Sequence, residues 1–119
     1  MQYLALIHAD EEAWLALDEA ARQEAYDGYR RLGEEAQAAG VLVDGAELAP
    51  TSAATTVRVR EGQTLVSDGP YAEVKESLGG YFLFECDSID EAVRWASRIP
   101  AASTGGAVEV RPVHVQEED

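Results

Sequence analysis

Tyr81-Phe82-Leu83-Phe84-Glu85-Cys86 places apolar side chains at almost every position, and Gln2-Tyr3-Leu4-Ala5-Leu6-Ile7-His8 does the same near the other end of the chain. Successive side chains of a strand point to opposite faces, so a run that is apolar on both faces reads as a central strand covered twice. In residues 2–8, Leu4 and Leu6 share one face with His8, and Tyr3, Ala5 and Ile7 occupy the other. After the first of these strands the pattern changes period. Asp10 offers an N-cap with Glu11 and Glu12 in the first turn, and an apolar stripe follows through Trp14, Leu17, Ala21, Ala25, Tyr29, Leu32, Ala36 and Ala39 to a stop at Gly40. Spacings of three and four predict a long helix over 11–39, which Asp18 can break by acting as an internal cap. Gly28 and Gly33 each cost that helix roughly 1 kcal/mol relative to alanine, a loss that close packing by a neighbour would offset.

Val41 begins a short extended segment towards Leu48, and Pro50-Thr51-Ser52 interrupts it. Thr55 to Arg60 and Gln63 to Ser67 read as a hairpin around Glu61-Gly62, with Val57 and Val59 on a buried face and Thr56, Arg58 and Arg60 on a wet one. Ser88-Ile89-Asp90-Glu91 is a capping box that launches a second helix on Ile89, Ala92, Val93, Ala96 and Ile99, ended by Pro100. Trp95 sits at the edge of that stripe as a packing residue. A Gly105-Gly106 turn leads to a last strand over 107–113, with an acidic tail after His114. Helices this few cover one face of a sheet. The expectation is therefore an α+β fold, a ferredoxin-like antiparallel sheet with helices on one face, forming a single domain over residues 1–119. A second copy is the simplest cover for the other face, which predicts a homodimer joined through sheet surfaces.

Nine Lys and Arg against 23 Asp and Glu give a net charge of −14. Such a surface repels phosphate backbones and anionic lipid, which argues against direct nucleic-acid binding and against membrane association. Cys86 is the single cysteine and lies in an apolar run, so it reads as a buried inert thiol in a reducing compartment. The first residues lack the basic flank and apolar length of a secretion signal, which sets the expected location as cytoplasmic. Two histidines and one cysteine offer no metal-ligand spacing, and no cofactor motif is present.

The stretch Asp68-Gly69-Pro70-Tyr71-Ala72-Glu73-Val74-Lys75-Glu76-Ser77-Leu78-Gly79-Gly80 holds three glycines, a proline and four ionisable side chains, Asp68, Glu73, Lys75 and Glu76. That density marks a positioned loop. Gly69, Pro70, Gly79 and Gly80 are read as shaping it. Asp68 closes an Asx-turn or faces a pocket as acid, base or ligand. Glu73 and Glu76 are three apart, so one helical turn would bring both carboxylates to the same side; spacing alone favours a solvated loop that neutralises itself, whereas in a pocket Lys75 could bind an anionic substrate or, once desolvated, serve as a base. His8 ends the first strand, where an imidazole can stand near a cavity mouth, although a satisfied structural histidine is the commoner case. Tyr29, Tyr71 and Tyr81 are candidate pocket walls or plain core packing.

At Asp68-Gly69-Pro70-Tyr71-Ala72-Glu73-Val74-Lys75-Glu76 the chain resembles the Asp-Gly-Pro-Phe (DGPF) motif branch of the YCII-related protein family, with Tyr71 and Val74 at positions where phenylalanine and threonine are usual. The resemblance extends through Leu78-Gly79-Gly80, back to Ala54-Thr55-Thr56-Val57-Arg58, and on to Arg98-Ile99-Pro100-Ala101 and Val108-Glu109-Val110-Arg111-Pro112. It implies a ferredoxin-like fold assembled as a dimeric α/β barrel. Related YCII proteins have been proposed to carry a His-Asp pair, whose histidine position falls on Tyr29 here. A tyrosine is a poor base near neutral pH, so Tyr29 is read as a ligand contact. One function is expected, with one alternative. The expected function is a small-molecule-binding homodimer with enzymatic chemistry from Asp68, Lys75 and His8 and ligand contacts from Tyr29, Tyr71 and Glu73. The alternative is a non-catalytic regulatory dimer with a transcription-related protein partner, because the resemblance extends to proteins encoded beside extracytoplasmic-function sigma factors.

Overall fold

From β1 (Gln2–Asp10) the chain enters α1 (Glu11–Ala16) and α2 (Glu19–Ala38), then returns along β2 (Leu42–Glu47). It detours through a hairpin of β3 (Thr55–Arg60) and β4 (Gln63–Asp68) before rejoining the sheet as β5 (Glu76–Glu85). α3 (Ile89–Ala96) and α4 (Pro100–Ser103) lead to the last strand, β6 (Ala107–Pro112). The structure is a computed structural model that describes residues 1–116, so the last three residues of the acidic tail, Glu117-Glu118-Asp119, lie outside the described residues.

The main sheet has the order β2-β5-β1-β6 and every pairing in it is antiparallel. Without the hairpin the connectivity is βαββαβ, consistent with a ferredoxin-like fold. The two doubly apolar runs are indeed its centre, with Ala5 opposite Phe82 and Tyr3 opposite Phe84. Tyr3, Ala5, Ile7 and Phe84 pack against Leu32 and Ala36 of α2 and against Ala92, Ala96, Ile99 and Ala101 beyond β5. Trp95 joins that core from its edge, as a packing residue. Leu4, opposite Leu83, and Leu6, opposite Tyr81, face away from the helices and are only partly covered. Alternation along β1 thus separates a helix face from an open face.

The long helix is broken where the acidic side chain at 18 can close it. Leu17 turns extended, and the Asp18 carboxylate accepts a hydrogen bond from the Ala21 N–H to restart the helix as α2. The break lets α1 leave the axis of α2. Close packing accounts for one of the two helix glycines. A Cβ at Gly28 would stand 3.1 Å from Pro100 Cγ, whereas one at Gly33 would meet open space. Pro100 starts α4 rather than merely ending the previous helix, as suits a residue with fixed φ and no N–H.

Two expectations about the hairpin region need correction. β5 begins at Glu76, so the loop is only 69–75, and Gly79 and Gly80 belong to a strand. Gly80 is there because a Cβ would come within 2.8 Å of the Ala46 carbonyl oxygen on β2. The hairpin itself is not half-buried. Val57 and Val59 are 59% and 66% exposed, because β3 and β4 pair with each other and with no strand of the main sheet. The radius of gyration, 16.4 Å, exceeds the about 13.5 Å expected for a chain of this length. A flat molecule of 53 × 47 × 18 Å, with an apolar arm outside its own core, results.

Candidate functional site

A cleft of about 610 Å³ lies between the α1–α2 corner and the edge formed by β2 and β5. The Asp18 break creates one wall of it. Trp14 from α1 meets Tyr26 from α2 edge-on, with centroids 5.4 Å apart and planes at 88°. Deeper in, Tyr29 stacks on Phe82 at 6.4 Å, one helical turn along α2 from Tyr26. Ile7 and Gly80 contribute to the floor, and the 45–50 segment makes the opposite rim.

The polar groups around this aromatic lining are mostly acceptors. The Tyr26 hydroxyl donates to Glu47 Oε1 at 3.1 Å. Glu11 accepts from the Thr51 N–H at 2.7 Å and from its hydroxyl at 2.6 Å, which ties the 45–50 rim to α1. Asp10 caps α1 by accepting from the Glu12 and Ala13 N–H groups. Burial pushes the Tyr29 phenol up, partly offset by the backbone at Ala101. Tyr26 is pushed up too, by burial first and then by its bond to Glu47. Both phenols therefore stay protonated near neutral pH and are not bases, and the Tyr26 hydroxyl acts as a donor.

A smaller cavity of about 360 Å³ lies under the 69–74 loop and shares Glu11 and Ser77 with the main cleft. Gly69, Pro70 and Glu73 line it, so the loop stands beside the cleft. Gly69 has φ 100°, and its N–H donates to the Ala54 carbonyl while its carbonyl accepts from the Thr56 hydroxyl. These bonds clamp the loop to the base of the hairpin.

The residues expected to form a site are spread over three places. Tyr29 lines the main cleft. Glu73 lines the smaller cavity. Asp68, at the end of β4, and Lys75, just before β5, are exposed and line neither. Tyr71 is 77% exposed, with the Arg58 guanidinium 5.0 Å from its ring centre. His8 lies on the open face, where its Nε2 is shielded from water and stands 3.7 Å from Glu109 Oε1, too far for a hydrogen bond. Glu109 is held below the usual carboxylate range by its hydrogen bond to Arg111. Cys86 is buried, and burial raises its thiol, as suits an inert side chain.

Trp14, Tyr26, Glu11 and Glu47 line the cleft, yet sequence patterns single out none of them as site residues. The available signal was Tyr26 and Tyr29 at i and i+3, which sets two phenols on one helix face. Among the described residues no three His, Cys, Asp or Glu side chains gather as a metal-binding group, and no helix is long and apolar enough to cross a membrane.

An antiparallel α+β protein with ferredoxin-like connectivity and a ligand-sized cleft under its helices is the class these features define. The chain belongs to the YCII-related domain family, whose model matches residues 1–116. It is also similar to an uncharacterized protein of Rhizobium meliloti (strain 1021), 47% identical over 76 residues. That alignment covers 63% of this chain and 61% of the relative.

Proposed function

We propose that the chain is a cytoplasmic, small-molecule-binding homodimer of the DGPF-type branch, with the cleft between α1–α2 and β2–β5 as its ligand site. The carrying observation is the cleft: about 610 Å³ with aromatic walls and a few directed polar groups, within the roughly 300–1,000 Å³ usual for small-molecule sites. The placement in the DGPF-type branch rests on Asp68-Gly69-Pro70-Tyr71 and the sequence after it. Catalysis by Asp68, Lys75 and His8 would require the second copy, because none of the three lines the cleft or the smaller cavity beside it.

Several surfaces support the dimer. Leu4, Leu6 and Leu83 lie on the open face, partly exposed. Val57, Val59 and Val66 share the apolar face of a two-stranded hairpin, a structure that is marginal in water by itself. Residues 55–75 carry three basic and three acidic side chains, so two copies of an otherwise acidic chain can meet there without net repulsion. Light scattering after gel filtration is expected to give twice the 12.9 kDa chain mass. Leu6→Glu, which sets a charge on the open face, is expected to shift that mass to the monomer. A monomeric wild-type protein at micromolar concentration would overturn the dimer.

Titration with small aromatic fragments, followed by amide chemical shifts, tests the ligand site. Perturbations are expected over 45–50 and 78–82, with none confined to the hairpin. Shifts restricted to residues 68–75 would move the reading to the alternative, a non-catalytic regulatory dimer whose loop meets a transcription-related protein. The exposure of Tyr71 and Val74 favours that alternative.

A further inference from the structure

We infer that the cleft selects organic cations, small amines or quaternary ammonium groups carried on an apolar body, over neutral and anionic molecules of the same shape. This inference rests on the cleft being the ligand site. Trp14 and Tyr26 meet at 88°, so the corner between α1 and α2 is walled by two aromatic rings set at right angles. Aromatic faces carry negative potential, and rings set at angles surround a cation as parallel ones cannot. The Tyr26 hydroxyl donates to the Glu47 carboxylate, which pushes further electron density into that ring. Glu47 uses Oε1 in that bond, and its Oε2 accepts none from the described residues, leaving one carboxylate oxygen at the rim.

The charges around the cleft favour the same sign. Asp10, Glu11 and Glu47 line it, against Arg30 as the cationic lining residue. Arg30 is largely exposed and already paired with Asp27 at 3.3 Å and Glu34 at 4.0 Å, so it offers an anion little. Lys75, the residue read from sequence as suited to an anionic substrate, lies outside the cleft. A chain of net charge −14 also raises the local concentration of cations near its surface.

The test is a titration of the full chain with three probes that share a benzyl body: benzyltrimethylammonium, its neutral tert-butyl isostere neopentylbenzene, and the anion phenylacetate. Binding is read from tryptophan fluorescence and from amide shifts over residues 45–50. The cation is expected to bind about tenfold more tightly than the neutral isostere, with phenylacetate weakest. Added salt should reduce the preference. Glu47→Gln and Tyr26→Leu, both at exposed positions that leave the core intact, should each remove most of it. Equal binding of cation and neutral isostere would overturn the cation inference and leave the cleft as a ligand site. Tighter binding of phenylacetate would overturn it too, as would a cation preference that survives both substitutions. Absence of any shift over 45–50 with all three probes would overturn both the inference and the cleft reading beneath it.

Discussion

Phe84→Ala is expected to remove about 3–5 kcal/mol of folding stability, a large part of the roughly 5–15 kcal/mol that holds a domain of this kind together. Phe84 has no exposed surface and stands at the middle of β5, opposite Tyr3 on β1 and Leu42 on β2. Its ring stacks on Phe82 at 5.6 Å and meets Trp95 at 6.4 Å. Truncation leaves a hole bounded by strands on both sides, which cannot close without moving the sheet, so the cavity cost adds to the lost transfer energy. Urea denaturation monitored by circular dichroism should show a lower midpoint at unchanged slope. A loss under about 1 kcal/mol would mean that the ring is not enclosed as described.

The same substitution should reach the cleft. Phe82 lies between Phe84 and Tyr29, so rings from Trp95 through Phe84 and Phe82 to Tyr29 connect the α3 side of the core with the ligand cavity. Loss of Phe84 removes the backing of Phe82 and, through it, of the Tyr29 wall. The expected signature is weakened fragment binding even where the variant remains mostly folded. Site and core share one column of side chains, so close packing in the core props the cleft wall.

How much of this was legible follows from what each pattern measures. The central strands could be read because both faces of Tyr3–Ile7 and Tyr81–Phe84 are apolar, and that property belongs to the sequence itself. The break at Asp18 could be read because capping is decided within three residues. The start of β5 could not. Glu76, Ser77, Leu78 and the two glycines carry turn-like composition, yet Gly80 is required by the nearness of the Ala46 carbonyl, a contact between residues far apart in sequence. The valine face of the hairpin was read as buried and is exposed, because alternation reports that a face is apolar and not what covers it. The cleft was hidden for a related reason. Trp14, Tyr26, Glu11 and Glu47 come from three elements, and each has a sufficient local explanation as stripe, helix-face or capping residue, so no spacing rule joins them.

Gly106→Ala is the substitution where a single methyl group should do the most damage. A Cβ at this position would stand 2.5 Å from the His8 carbonyl oxygen and 3.0 Å from that of Ala101. Both are backbone atoms, so no side-chain rotation relieves the contact. The Gly106 N–H donates to the same Ala101 carbonyl at 3.0 Å, which fixes the turn from α4 into β6. Relief must therefore come from displacing β1 or the start of β6, where His8 pairs with Ala107. Overpacking of this kind costs about 1–3 kcal/mol, and rigid partners on both sides place this case at the upper end. Neighbouring Gly105 is a different case, because open space surrounds it and its φ of 95° is the obstacle, worth about 1–2 kcal/mol for alanine. At Gly33, a helix interior with nothing within 4 Å and no positive φ, the same change should stabilise by about 1 kcal/mol. Thermal unfolding of the three alanine variants should rank them Gly33 above wild type, then Gly105, then Gly106. A Gly106→Ala protein as stable as wild type would contradict the close approach of α4, β1 and β6 on which that corner of the fold depends.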